Sequence, residues 1–371
     1  IEGVEIMKRL LTGNEAVARG AYEAGISYAA AYPGTPSTEI LENIAKYRED
    51  IIAEWATNEK VALENAIGAS VAGARALASM KHVGVNVAAD PMFTYAYMGV
   101  NGALVLISAD DPSMHSSQNE QDNRNYARFA KIPMLEPSDS QECKDMIKAA
   151  VEISEEYDTM VMFRMTTRVC HSKGLVELGD KEETVIKDYT KNNAKFDAIP
   201  AVSRELRVKL EERLKRLEEF SNKTDLNYIE WNDKKIGIIS SGISYQYAKE
   251  VFGDSVSYLK LGFTFPLPMK KIEEFAKQVD TLYVIEELEP FIEDELKKNG
   301  IKCIGKDKIP HIGELNPDII SERLLGEGRE LLSVNQEKIV ARPPTLCAGC
   351  PHRGFFYELG KLKNVMFAGD I

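Results

Sequence analysis

Apolar runs with little polar alternation recur along the first 165 residues, and helix-like segments separate them. Strands that are covered on both faces have this pattern, because neither face meets water. The runs predict strands at residues 27–32, 51–56, 83–88, 103–109 and 159–165. Since repeated β–α units build a parallel sheet, the sequence predicts an α/β fold.

Two helices of this region carry local signals. Thr12 and Glu15 have the spacing of a capping box, and Gly25 stands where that helix is expected to end. A longer helix is predicted over residues 58–80, and its small residues indicate close backbone packing. They are Ala66, Gly68, Ala69, Ala72, Gly73 and Ala74.

The pattern changes after residue 180. Four leucines at helical spacing lie in the densely charged segment 204–220, which predicts an amphipathic connecting helix with a solvated charged face. Alternation then resumes, with strands predicted at 235–240, 256–261 and 281–285. We therefore expect a first domain over residues 1–180, a charged connector over 181–233, a smaller α/β domain over 234–330 and the start of a third domain over 331–371.

The composition narrows the class of protein. The 371 residues include 46 Lys+Arg and 58 Asp+Glu, a net charge of −12, which disfavours binding to a phosphate backbone. No apolar run is long enough to span a membrane, and residues 1–9 lack a signal-peptide core. Five scattered cysteines are too few for a disulfide scaffold. We expect a cytoplasmic protein that binds neither nucleic acid nor membrane.

Cys347 and Cys350 form the sharpest local motif, a Cys-x-x-Cys followed by Pro351 and His352. Two thiolates at this spacing can bind one metal ion or one edge of a cluster, so zinc, iron–sulfur and a redox dithiol all remain open. A complete site needs four ligands, and the sequence has no second Cys-x-x-Cys. Two incidental cysteines in a turn are the plain alternative.

Other candidates lie at the ends of predicted strands. The loop YPGTPS at residues 32–37 follows the first strand, at the edge where open α/β sheets bind ligands, although it is equally explained as a rigid turn. Glu59, in a first helical turn, is commonly only a partner of the helix dipole. The polar loop 110–119 is either a solvated excursion or a lid. We expect His82 and His171 to be structural, and the pair Glu286 and Glu287 to face solvent.

Five motifs occur together and in order. They are YPGTPS (32–37), EWATNEKVA (54–62), HSSQNEQD (115–122), LCAGCPHRG (346–354) and FAGDI (367–371). On these motifs the chain resembles the α subunits of indolepyruvate ferredoxin oxidoreductases, which are thiamine-diphosphate-dependent 2-oxoacid:ferredoxin oxidoreductases. The resemblance covers nearly the whole chain. It implies a pyrimidine-binding domain in the parallel-sheet thiamine-diphosphate fold, and a second domain similar to a transketolase C-terminal domain.

The resemblance also implies roles for individual residues. Glu59 matches the acid that contacts N1′ of the thiamine aminopyrimidine and promotes its imino tautomer, and Thr35 matches a threonine near the substrate keto acid. The other cofactor-binding positions implied are Tyr32, Pro33, Gly34 and Asn58. Cys347 and Cys350 match thiolates that ligate a [4Fe–4S] cluster in relatives, which favours iron–sulfur over zinc.

A complete subunit of this family continues past Ile371, so the resemblance implies that the chain is an N-terminal fragment, inactive alone. Most ligands of the diphosphate Mg²⁺ and of any cluster would then lie outside it. The implied reaction is oxidative decarboxylation of aryl 2-oxoacids such as indolepyruvate and phenylpyruvate, with CoA, ferredoxin and a β subunit as partners. Two alternatives stay open: the same chemistry on pyruvate or 2-oxoglutarate, and a non-catalytic scaffold with structural zinc.

Overall fold

A computed structural model describes residues 7–328, 335, 339–341 and 345–368. The chain divides into two compact units, one up to Gly328 and one after it. Within the predicted third domain over 331–371, residues 331–334, 336–338, 342–344 and 369–371 lie outside the described part. None of the described helices is long and apolar enough to cross a membrane.

The strands follow one another along the first unit. They are β1 Lys8–Thr12, β2 Tyr28–Ala31, β3 Ile52–Trp55, β4 Ala76–Lys81, β5 Leu104–Asp110, β6 Met134–Leu135, β7 Val161–Thr166, β8 Lys173–Glu177, β9 Asn227–Glu230, β10 Ile236–Ser241, β11 Ser257–Leu261, β12 Phe263–Phe265 and β13 Thr281–Ile285.

The α-helices connect the strands, and one more lies in the second unit. They are α1 Gly13–Glu23, α2 Thr38–Ile44, α3 Glu59–Val71, α4 His82–Val87, α5 Ala89–Met98, α6 Arg124–Ala130, α7 Ser140–Tyr157, α8 Thr167–His171, α9 Asn193–Phe196, α10 Pro200–Lys223, α11 Gly242–Phe252, α12 Met269–Ala276, α13 Phe291–Lys298, α14 Pro317–Leu325 and α15 Pro351–Leu359.

The described strands form three sheets. The largest has the order β12-β6-β7-β5-β4-β2-β3 and is parallel except for β12, which pairs antiparallel with β6. The second has the order β13-β10-β11-β9, with β9 antiparallel, and β1 pairs with β8 in a two-stranded ribbon. Parallel strands with helices packed against them confirm the predicted α/β class. The four-part division at residues 180, 233 and 330 stays a prediction.

Two of the predicted elements are wrong. The predicted helix over 58–80 ends at Val71, the chain turns at Gly73, and residues 76–81 form the buried strand β4. The predicted strand 83–88 is instead the short helix α4. Small apolar residues such as those in Ala72–Ala78 suit both a tightly packed helix and a parallel strand, so periodicity alone did not separate them.

Conversely, the predicted capping box is present. Thr12 Oγ1 accepts a hydrogen bond from Glu15 N, and Glu15 Oε2 accepts one from Thr12 N at 2.8 Å. Gly25 follows the helix with φ of +66°. The predicted amphipathic helix is also confirmed, as α10, whose buried leucines include Leu206, Leu210 and Leu217.

A buried charged network joins the two larger sheets. We define it as Asp110, Asp122, Arg124, Glu136, Arg164 and Glu286. Arg124 Nη2 lies 2.6 Å from Asp122 Oδ2, and its Nη1 lies 2.6 Å from Glu286 Oε2. Arg164 on β7 pairs with Asp110 at 2.7 Å and also with Glu136. Since Glu286 follows β13 and the others lie in or beside the first sheet, the network connects the sheets.

The prediction that Glu286 and Glu287 face solvent is wrong, since they are 2% and 6% exposed. Glu286 accepts hydrogen bonds from Ile292 N and Glu293 N at the start of α13, and Glu287 accepts one from Leu315 N at 2.9 Å. Burial raises the pKa of Glu287 to about 7. Burial also acts on Asp122, but Arg124 and Arg164 outweigh it and lower that pKa to about 2.

Replacing Gly73 should destabilise the turn between α3 and β4. Gly73 has φ of +100°, and a Cβ there would lie 1.9 Å from Lys187 O. We expect Gly73→Ala to lower the free energy of unfolding by about 2 kcal/mol or more, measured by denaturant titration. Gly68→Ala is the matched control. Nothing lies within 4 Å of a Cβ at this helical position, so it should stabilise by up to about 1 kcal/mol. Equal effects of both changes would contradict the turn argument.

Glu287 should make stability depend on pH. Its folded pKa of about 7 lies above its usual value of 4.5, so the folded state holds the proton more tightly. Stability from this group is therefore full below pH 4.5 and is lost as pH rises towards 7. Glu287→Gln should remove that loss, worth at most about 3 kcal/mol. The melting temperature of the variant, relative to the unmutated protein, should rise across this window. A difference that is constant with pH would argue against a buried proton.

Candidate functional site

The order of strands creates a crevice at the carboxyl edge of the seven-stranded sheet. From β2 the chain runs outward to β3, then returns past β2 to β4 and continues to β5 on the other side. The segments that leave β2 and β4 therefore diverge. Open α/β sheets bind ligands at such a topological switch point. We call the region of this edge that is bordered by residues 32–37, Glu59 and Lys81 the switch-point crevice.

The loop after β2 is held by hydrogen bonds. Thr38 Oγ1 accepts from Gly34 N at 2.9 Å, and Ser37 Oγ donates to Gly34 O at 2.8 Å. Asn14 on α1 donates to Pro36 O at 2.8 Å. Tyr32, Pro33 and Thr35 are exposed, whereas Gly34 is half-buried. The loop thus presents Thr35 outward from a rigid base.

Glu59 begins α3, which follows β3 at the same edge. Asn58 caps this helix, because its side-chain oxygen accepts from Val61 N at 3.0 Å. A Cβ added to Gly84 would lie 2.7 Å from both Cγ and Oε1 of Glu59. The half-buried Glu59 carboxylate therefore lies directly on the backbone of α4, at a place that only glycine leaves open.

Lys81, which sequence reasoning missed, lies between these two features. Its stem packs on the loop after β2, since a Cβ at Gly34 would come within 3.0 Å of Lys81 Cδ. Its Nζ donates to Ser116 O at 2.9 Å. Burial lowers the pKa of Lys81, while the carboxylates of Asp111 and Glu59 favour its charged form. The helix predicted over 58–80 takes up nearly all of β4, so the sequence pattern does not show that Lys81 ends a central strand.

The polar loop after β5 is tied down at Asp111. Its Oδ2 accepts from Ser116 N at 2.8 Å and from Ser117 Oγ at 2.7 Å, and its Oδ1 accepts from Thr167 Oγ1 at 2.7 Å. Burial opposes ionisation of Asp111, but these hydrogen bonds prevail and lower its pKa. The loop is therefore pinned at its base. A role as a lid stays a prediction.

Further along, this loop contacts the segment before α14. Glu120 Oε1 accepts from Ser113 N at 2.7 Å and from Gly313 N at 2.9 Å. Ser113 Oγ in turn accepts from Glu314 N at 2.8 Å. The loop that contacts Lys81 is thus also hydrogen-bonded to a segment that follows the second sheet.

The histidines have different surroundings. His82 is fully buried, with Nε2 at 2.9 Å from Asn119 Oδ1, and its backbone oxygen accepts from Gln121 and Asn123. His171 is 41% exposed and lies 3.8 Å from Glu39. These contacts agree with structural roles.

Cys347 and Cys350 belong to the second unit. A turn brings Cys350 N within 3.2 Å of Cys347 O, with Gly349 at φ of +77°. The sulfur of Cys350 lies 3.4 Å from Nδ1 of His352. Among the residues that the structure describes, no group of three or more His, Cys, Asp or Glu could hold a metal ion. The motif therefore offers two thiols, which are half of a four-thiolate ligand set.

Comparisons with known proteins agree with this architecture. The sequence model of a family described as "Pyruvate flavodoxin/ferredoxin oxidoreductase, thiamine diP-bdg" matches residues 19–222. Among solved structures, a 2-oxoglutarate:ferredoxin oxidoreductase from Magnetococcus marinus is similar in fold. Its TM-score is 0.71 at 16% identity, covering 86% of this chain and 65% of that one.

Curated relatives extend the likeness over nearly the full chain. The indolepyruvate oxidoreductase subunit IorA of Pyrococcus abyssi is 44% identical, and that of Archaeoglobus fulgidus 41%, each over 98% of this chain. The chain spans 61% and 62% of the lengths of these two relatives. The 2-oxoglutarate synthase subunit KorA of Methanothermobacter thermautotrophicus is 31% identical over 46% of this chain and covers 48% of that protein. The chain therefore belongs to the thiamine-diphosphate-binding family of pyruvate flavodoxin/ferredoxin oxidoreductases.

Proposed function

We propose that this chain acts in the oxidative decarboxylation of aryl 2-oxoacids, with indolepyruvate and phenylpyruvate as substrates. The 2-oxoacid, CoA and two oxidised ferredoxins would give an arylacetyl-CoA, CO₂, two reduced ferredoxins and a proton. The observation that carries the proposal is the 44% identity, over 98% of this chain, to an indolepyruvate oxidoreductase subunit. A β subunit, CoA and ferredoxin are its proposed partners.

The switch-point crevice is the proposed site of the pyrimidine half of thiamine diphosphate. Gly84 leaves room for the Glu59 carboxylate at this position, since a side chain on residue 84 would collide with it. When bound, the cofactor supplies a nucleophilic carbon that takes electrons from the carbon–carboxylate bond. Glu59 would hold a proton against N1′ of the pyrimidine, which is general acid–base work at a fixed position.

Other residues of the crevice would orient Glu59 and enclose the cofactor ring and the substrate. Asn58 fixes the first turn of α3, and with it the direction of Glu59. Tyr32, Pro33 and Gly34 would border the ring, and Thr35 would offer a hydroxyl to the keto acid. The ligands of Mg²⁺ are proposed to come mostly from outside this chain.

The thiolates of Cys347 and Cys350 are proposed as two ligands of a [4Fe–4S] cluster that accepts single electrons. Two further ligands would have to come from elsewhere, which supports assembly with other segments or subunits. A structural zinc in a non-catalytic scaffold is the competing proposal from another class. In that proposal, the same two thiolates and the neighbouring His352 would be ligands of the zinc.

A second substrate class remains in competition. The 31% identity to a 2-oxoglutarate synthase subunit, over 46% of this chain, favours the same chemistry on a smaller 2-oxoacid. Pyruvate is the remaining member of that group. The relative kcat/KM values of these acids decide between the two substrate classes.

The assay of activity uses the full-length subunit assembled with its β subunit, together with CoA, thiamine diphosphate and a viologen dye. Indolepyruvate and phenylpyruvate should support dye reduction at a higher kcat/KM than pyruvate or 2-oxoglutarate. Reduction with the two small acids alone would replace the aryl assignment. Absence of reduction with every 2-oxoacid would remove the proposed function.

In the same assay, Glu59→Gln should lower kcat by about 100-fold or more, because an amide cannot share a proton with N1′ as a carboxylate does. Glu64→Gln is the matched control. Glu64 is an exposed residue of the same helix, paired at 3.9 Å with Lys60, so its loss should leave kcat unchanged. Near-normal turnover of the Glu59 variant would remove the role proposed for Glu59.

Metal analysis after anaerobic purification separates the two proposals for the cysteines. The intact complex should contain iron and sulfide, and Cys347→Ser with Cys350→Ser should lower both by about four atoms per subunit, as one [4Fe–4S] cluster requires. Cys303→Ser, at a half-buried position of the first unit, should change neither. Zinc without iron or sulfide would support the scaffold instead.

A further inference from the structure

Lys81 brings a positive charge into the switch-point crevice. It is the last residue of β4, and β4 lies between β2 and β5 in the sheet. Its side chain lies against Gly34, and its charge is within electrostatic reach of Glu59. A cation at this position faces whatever ligand the crevice holds.

The ammonium of Lys81 has spare hydrogen-bonding capacity. An ammonium has three protons to donate. In the described part of the chain, Lys81 donates one hydrogen bond, to Ser116 O, and no carboxylate lies at salt-bridge distance. Asp111 is nearby, but its two oxygens already accept from Ser116, Ser117 and Thr167. Lys81 is thus a half-buried cation without an anionic partner of its own.

The other cations considered near this edge already form ion pairs. Arg124 and Arg164 belong to the charged network, Lys60 pairs with Asp90 at 2.8 Å, and Arg168 pairs with Glu314 at 2.5 Å. Among the described residues around the crevice, Lys81 is therefore a half-buried cation with N–H groups still available to a ligand.

We propose that Lys81 binds the carboxylate of the 2-oxoacid substrate and so holds the keto carbon in the crevice. The inference rests on the proposed function, because the carboxylate is the anionic group shared by every 2-oxoacid. An ammonium suits this group, since it pairs with a carboxylate in any rotation. The proposal requires no contact between Lys81 and the aryl part of the substrate.

This role has a kinetic signature. The substrate carboxylate leaves as neutral CO₂, so its negative charge falls as the carbon–carbon bond breaks. An ion pair with Lys81 is then strongest before the reaction, and it stabilises the bound substrate more than the transition state. Loss of such an interaction raises KM and does not lower kcat.

The test compares Lys81→Met, Lys81→Arg and the control Lys46→Met in the full-length complex with its β subunit. Lys46 is an exposed residue whose Nζ contacts Asn43. With phenylpyruvate, Lys81→Met should raise KM by about 10- to 100-fold, the range of a hydrogen bond to a charged group. Its kcat should not fall below about one third of the unmutated value, Lys81→Arg should recover most of the affinity, and Lys46→Met should match the unmutated enzyme.

Two inhibitors distinguish charge recognition from a purely structural role. The Ki of 3-phenylpropionate, which carries the carboxylate, should rise in Lys81→Met by the same factor as KM. The Ki of the neutral 3-phenylpropanamide should not change. Lys81 could instead act only by supporting the polar loop after β5 through Ser116 O. In that case the Ki values of both inhibitors would rise together and kcat would fall, which would overturn the proposal.

The outcomes also separate this inference from the proposed function. If the unmutated complex reduces dye with 2-oxoacids but Lys81→Met keeps its KM and both Ki values, the proposed function stands and Lys81 is not the carboxylate site. If the unmutated complex oxidises no 2-oxoacid, the proposed function and this inference both fall.

Discussion

The pairing of two buried arginines with four carboxylates is the interaction on which the arrangement of this protein depends. Arg124 and Arg164 lie 1% and 5% exposed, and their charges would be costly to bury without Asp110, Asp122, Glu136 and Glu286. These partners come from strand ends and loops far apart in sequence. Satisfying them requires β5, β7 and β13 to end close together, so the electrostatics determine the relative position of the two sheets.

The candidate site depends on the same network. Asp110 ends β5 and pairs with Arg164, and the next residue, Asp111, anchors the loop that reaches Lys81 through Ser116. Asp122, at the far end of that loop, pairs with Arg124. Both ends of the loop are thus held by buried charges, while Ser116 in its middle contacts Lys81. A rigid frame with a polar loop across it is a common way to build a binding site.

The sequence predicted the α/β class, the capping box at Thr12 and the positions of most central strands, because apolar runs and caps are local signals. It did not predict β4, because an alanine-rich segment fits a helix as well as a strand until its neighbours are known. Lys81 was missed for the same reason, since its importance follows from strand order. Glu286 and Glu287 are wrongly predicted to face solvent because their carboxylate contacts leave no local pattern: Glu286 pairs with Arg124, 162 residues away, and Glu287 accepts from Leu315 N, 28 residues away. The site residues Thr35 and Glu59 came from motifs, and their roles stay predictions.

The short strand β12 has a consequence for how the chain is made. Residues 263–265 return from the second sheet to pair with the two-residue strand β6 at the edge of the first. During synthesis, β6 therefore emerges from the ribosome long before the strand that covers it. Until then the growing chain carries an open sheet edge, which is the kind of surface that favours aggregation. The first sheet can thus be completed only after most of the second has been synthesised, which links the folding of both halves in time.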